Sequence, residues 1–190
     1  MKKNWYYIVC AFSLLIGCKS AQNPEDLAQY EALEEWIESK NFEIESTWAN
    51  PTVTFAVQSI ANASLFPPGS NPGNISLIGN PNYFRVINDS LSIYLPYFGE
   101  REIGGAYNSQ NQGIVFDGIP EQFEITKNPD KSEIKILVKC SKNLESYRMR
   151  LQIHANKNAT INVNSNQRNT ISYQGIIKKL PEKNLITNVK

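Results

Sequence analysis

The stretch YRMRLQIHA (147–155) places Tyr147, Met149, Leu151 and Ile153 at one parity and Arg148, Arg150, Gln152 and His154 at the other. Successive side chains of a strand point to opposite faces, so this alternation predicts a strand with one apolar and one solvated face. The same reading extends in both directions. C-terminal to it, ATINVNS (159–165) and TISYQGII (170–177) repeat the pattern. N-terminal to it come SEIKILVKC (132–140), EQFEITK (121–127) and GIVFDG (113–118), with NPDK (128–131) as a turn. YFRVINDSLSIYL (83–95) reads as two strands joined at Asn88-Asp89-Ser90, and FEIESTWA (42–49) sets Phe42, Ile44, Ser46 and Trp48 against Glu43, Glu45 and Thr47. Short strands separated by Asn, Asp, Ser and Gly turns predict an all-β fold, mainly an antiparallel barrel or sandwich.

One N-terminal amphipathic helix precedes the strands. Asn23 can cap it, Pro24 suits its first position, and Glu25 and Asp26 suit its first turn. Leu27, Tyr30, Leu33 and Ile37 fall near one face, with Trp36 at its edge. Its acids, Glu25, Asp26, Glu31, Glu34, Glu35 and Glu38, face only Lys40, whereas membrane-surface helices are normally basic. The helix is therefore expected to pack on the domain, with partner binding as the other option. Two long irregular segments, 58–82 and 99–113, interrupt the strands, and such loops are often lids or binding loops. The single domain is placed at 25–177, followed by a flexible tail over 178–190.

The front of the chain reads as a secretory signal. Lys2 and Lys3 precede an apolar run, Trp5 to Ile16, of about twelve residues, where a membrane-spanning helix needs roughly twenty. The run ends Leu15-Ile16-Gly17-Cys18, which is similar to the lipobox of bacterial lipoproteins. Cleavage is expected between Gly17 and Cys18, with acyl chains on Cys18 holding the protein to a membrane; stable anchoring takes more than one chain. Residues 18–24 then form a tether. Cys10 leaves with the signal and Cys18 takes the lipid, so Cys140 stands alone, with no disulfide framework or thiol metal cluster. Its parity with Ile134, Ile136 and Val138 makes it a core position. Without Lys2 and Lys3 the 19 basic residues fall to 17 against 18 acidic ones, a balance that gives no support to nucleic-acid binding.

The sequence offers little catalytic chemistry. The one histidine, His154, faces solvent by parity. Glu43 and Glu45 share a strand face, as a glycosidase pair would, but nothing flanking them suggests a sugar cleft, and a solvated strand edge is expected for them. No nucleophile elbow, Walker loop or dinucleotide fingerprint is present. What stands out is an aromatic cluster: Tyr94, Tyr97 and Phe98 in IYLPYFGE (93–100), then Tyr107 and Phe116. These side chains either line an apolar pocket mouth or plug the end of the barrel, and the plug is favoured.

LPYFG (95–99), the glycine-rich loop leading to GIVFDG (113–118), NQRNTISYQG (166–175) and the upstream FPPG (66–69) together resemble the Bacteroidota lipoproteins collected as domain-of-unknown-function family 4251. The resemblance covers roughly residues 30–177. Glu100-Arg101 departs slightly from the arginine expected after the glycine. The resemblance implies an envelope lipoprotein with a β-rich domain and brings no activity, cofactor or catalytic residue. Surface-exported lipoproteins of this group usually carry acids directly after the cysteine. Lys19-Ser20-Ala21-Gln22 intervene here, which favours the periplasmic face of the outer membrane. The resulting expectation is a non-enzymatic binding module for an apolar small molecule or lipid at the Tyr97/Phe98 end. The alternatives are an accessory subunit of an envelope protein complex and, less favoured, a hydrolase.

Overall fold

A computed structural model describes residues 24–101 and 113–181. Helix α1 (Pro24–Glu38) leads into β1 (Asn41–Pro51), a short helix α2 (Phe55–Asn62), and strands β2 (Ile75–Ser76), β3 (Tyr83–Ile87), β4 (Ser90–Leu95) and β5 (Ile114–Gly118). Then follow β6 (Gln122–Asn128), β7 (Glu133–Lys142), β8 (Glu145–His154), β9 (Asn158–Ser165) and β10 (Ile171–Lys179). The strands form one antiparallel sheet, ordered β5-β4-β3-β1-β10-β9-β8-β7-β6 with β2 flanking β1, that curls into a half-barrel.

The alternation seen in the sequence decides which face turns inward. Tyr147, Met149, Leu151 and Ile153 are buried, and across the ladder they meet Cys140, Val138, Ile136 and Ile134 on β7 and Val163 and Ile161 on β9. Phe42, Ile44, Phe84, Ile93 and Tyr173 complete a continuous core. Burial, with a smaller contribution from the charge of Glu121, pushes the Cys140 thiol up to about 12, so this cysteine behaves as a small apolar core residue.

Helix α1 covers one end of the half-barrel. Tyr30, Leu33 and Ile37 are buried while Leu27 remains partly exposed. Glu34 and Glu38 pair with Lys127, Glu35 lies 3.6 Å from Lys179, and Lys157 sits 5.0 Å above the Trp36 ring. The acidic face thus meets basic strand ends, and the helix packs on the domain.

Four features differ from the sequence reading. A bulge between Ser46 and Trp48 shifts the inward parity of β1 from Phe42, Ile44 and Ser46 to Ala49 and Pro51, which turns Trp48 outward. Glu43 and Glu45 lie on an interior strand and not on an edge, each ion-paired, to Arg85 and Lys178 respectively. Helix α2, capped by the Thr54 hydroxyl accepting from the Val57 N–H, and strand β2 occupy ground expected to be irregular. Strand β10 continues past Ile177, pairing Lys178 with Glu43 and Lys179 with Phe42, and buries Leu180.

Candidate functional site

The end opposite α1 is closed by polar groups. Strand β8 starts at Glu145, whose parity is that of Tyr147 and Met149, so the carboxylate is carried inward. The segment after β9 returns Arg168 to it. The two side chains are 6% and 7% exposed, with Arg168 Nε 2.8 Å from Oε1 and Nη2 3.1 Å from Oε2 of Glu145. Arg101 Nη2 donates to the same Oε2 at 2.9 Å and to the Gln167 amide oxygen at 2.9 Å, and Ser165 Oγ donates to Oε1 at 2.7 Å. Burial by itself raises the Glu145 carboxyl, but Ser165 and Arg168 outweigh it and hold the pKa below the ordinary value. Burial, then the charge of Glu145, pushes the neighbouring Tyr147 phenol up.

The aromatic cluster meets this network. The Arg168 guanidinium lies 5.1 Å from the centre of the Tyr97 ring, and the Tyr97 hydroxyl reaches the carbonyls of Glu100 and Asn169, each at 3.0 Å. Phe98 packs edge-on against Phe66, centroids 6.4 Å apart, and Tyr173 donates to the Pro96 carbonyl at 2.7 Å. Phe116 is buried in the core. Tyr94 lies elsewhere, on the outer face with its ring 6.1 Å from that of Tyr83. Tyr107, Gly17 and Cys18 fall outside the described residues. Tyr97 and Phe98 therefore act as part of a plug. The sequence places Arg101 and Arg168 in or beside the quoted motifs but does not reveal their shared pairing with Glu145, although a carboxylate at the apolar parity of a strand was a signal for Glu145.

Two surface concavities among the described residues bear on function. One, of about 370 Å³, lies on the outer face beside the plug and is bordered by Glu121, Lys139, Ser146, Arg148, Arg150 and Asn164. The other, of about 340 Å³, is a groove along the flank of α1, lined by Ala28, Ala32, Leu33 and Trp36, with Glu25 and Gln29 also on its lining, and, from the β8–β9 turn, by Ala155 and Lys157. Among the described residues no three ligating side chains converge as a metal site requires.

The family model described as a domain of unknown function, DUF4251, matches residues 25–177. The chain belongs to the DUF4251 family. A crystal structure of a DUF4251 family protein from Bacteroides eggerthii is similar in fold, with a TM-score of 0.53 and 15% identity over 87% of this chain and 97% of that one. No curated protein matches. The DUF4251 span takes in the Arg168–Glu145 pair and both concavities.

Proposed function

We propose that this DUF4251 protein is an acyl-anchored envelope protein, facing the periplasm from the outer membrane, that holds a slender apolar molecule of lipid type in the groove along α1. The observation that carries the reading is the groove itself. Ala28 and Ala32, four residues apart on one helix face, leave a channel against Ala155 that Leu33 and Trp36 wall with apolar surface. Its volume of about 340 Å³ is within the range of small-molecule sites. Its position argues for a membrane-derived occupant: Pro24 stands six residues after Cys18, and six extended residues span about 20 Å, so the tether keeps α1 near the bilayer. The apolar-ligand expectation thus moves from Tyr97 and Phe98, which are engaged in the plug, to the groove.

The test is native mass spectrometry of the full-length acylated protein, gently extracted from its own membrane. The expected result is a stoichiometric extra mass of a few hundred daltons beyond the covalent acyl groups. Ala32→Phe, which fills the groove from an exposed position at a helix-propensity cost of about 0.5 kcal/mol, should abolish that mass while leaving the urea midpoint nearly unchanged. Retention of the mass in Ala32→Phe would refute the groove, and a protein-sized adduct would replace this reading with the accessory role.

The anchor has its own check. Cys18→Ser should move the protein from the detergent-rich to the aqueous phase on partitioning, since the thioether that carries the acyl chains is then missing. Continued detergent partitioning would overturn the lipobox.

A further inference from the structure

Among the described residues, eight of the fourteen lysine and arginine side chains have a carboxylate partner, Lys179 with Glu35 among them. Lys40 pairs with Asp89, Arg85 with Glu43, Lys127 with Glu34 and Glu38, Lys135 with Glu133, Lys178 with Glu45, and both Arg101 and Arg168 with Glu145. Of the six without such a partner, three border a single concavity. Lys139, Arg148 and Arg150 line the hollow of about 370 Å³ beside the plug, where the only carboxylate among the described residues is Glu121.

Their placement is set by the ladder. Lys139 is directly opposite Arg148, which is in turn opposite Asn164 on the next strand. Directly opposed residues lie about 5 Å apart, and like charges in that relation repel. Arg150 follows two residues along β8 on the same face, roughly 7 Å from Arg148. Glu124, on the neighbouring β6, is hydrogen-bonded to Gln122 and does not border the hollow. The strand pairing therefore gathers three positive charges around one concavity with, among the described residues, a single acid to offset them.

The remaining lining adds neutral donors. Asn164 accepts from the Thr170 hydroxyl through Oδ1 at 3.0 Å, which leaves its NH2 group to donate. The Ser141 and Ser146 hydroxyls line the same hollow. Asn166 is occupied elsewhere, accepting from the Ser146 N–H and donating to the Leu144 carbonyl. Two guanidiniums, an ammonium, an amide NH2 and two hydroxyls around one concavity form a set of donors matched to a phosphate or carboxylate carried on a hydroxyl-rich body.

We infer that the hollow formed by Lys139, Arg148, Arg150 and Asn164 is a binding site for a small anionic sugar, its phosphate or carboxylate held by the two arginines and its hydroxyls by Asn164 and the serines. The site is independent of the α1 groove, and its test does not depend on what that groove holds.

The test is calorimetric titration of the full-length protein in detergent with glucose 6-phosphate, glucuronate, inorganic phosphate and, as neutral control, glucose, at matched ionic strength so that general screening cancels. The two sugar anions are expected to bind about tenfold or more tightly than glucose, and Arg148→Gln with Arg150→Gln to weaken them by about tenfold or more. Because both arginines are exposed on the outer face and Arg148 faces Lys139, the double variant should keep or slightly exceed the wild-type urea midpoint. Preference between the phosphate and the carboxylate identifies the anionic group. Binding of inorganic phosphate as tight as that of the sugar phosphate would overturn the sugar component. Sugar-anion binding no tighter than glucose, or unchanged in the double variant, would overturn the site.

Discussion

Gly175→Ala is expected to cost about 3 kcal/mol or more of stability, a large share of the roughly 5–15 kcal/mol by which a domain is stable. Gly175 sits mid-strand in β10 opposite Ser46, at the bulge that reverses the parity of β1. A Cβ there would lie 2.6 Å from the Ser46 Cα and deep inside van der Waals contact distance of the Glu45 carbonyl oxygen, both backbone atoms of the neighbouring strand. A flexible side chain could swing aside, but a ladder strand cannot move without loosening its bonds to β3 and β10 together. The glycine therefore permits the close approach that the bulge requires, and its conformational freedom is secondary. Urea denaturation of wild type and variant is the measurement. A midpoint shift equivalent to less than about 0.5 kcal/mol would mean that β1 and β10 are not packed this closely.

The same position explains how much of the fold was legible. Strands such as β7 and β8 were visible because period-two patterning and burial coincide along their whole length, from Ile134 to Cys140 and from Tyr147 to Ile153. β1 was legible only up to Ser46. The bulge inserts a residue, and a pattern extrapolated through it puts Trp48 on the wrong face. Helix α2 was missed because FAVQSIAN spans only about two turns, too short for a helical period to stand out, and buries only Val57. β2 is two residues long and is defined by its pairing with Trp48 and Ala49, which only the folded chain brings beside it.

The plug was half legible for a related reason. Aromatics near a strand end can be read from local sequence, whereas the Arg168–Glu145 pair spans 23 residues and its value depends on burial. Carboxylate and guanidinium side chains are ordinarily exposed, so composition gives no warning of a buried pair. The motif NQRNTISYQG contains both Arg168 and Gly175, and each has a distinct physical role in the fold. Arg168 neutralises a buried carboxylate, and Gly175 admits a neighbouring backbone.

Arg168→Ala should destabilise the domain by about 3–5 kcal/mol at pH 7, because it strands the Glu145 carboxylate in the barrel end. Arg101 remains within 2.9 Å but is partly in solvent and contributes one bond where Arg168 contributes two. The pH dependence separates this charge effect from lost stacking on Tyr97. In the wild type the folded-state pKa of Glu145 is depressed, so its stabilisation is fully present above the unfolded value near 4.5 and is lost as pH falls through the folded value. With Arg168 gone, burial governs and the folded-state pKa should rise above the unfolded one. The variant is then penalised at neutral pH and relieved on acidification. The difference between wild type and Arg168→Ala should therefore be largest near pH 7 and shrink by more than half toward pH 4 in urea titrations. Arg168→Met combined with Glu145→Met should recover much of the loss, since removing both charges leaves nothing unpaired. A difference that stays constant across this range, with no recovery in the double variant, would assign Arg168 a packing role over Tyr97 and remove the ion pair as the element that closes the barrel.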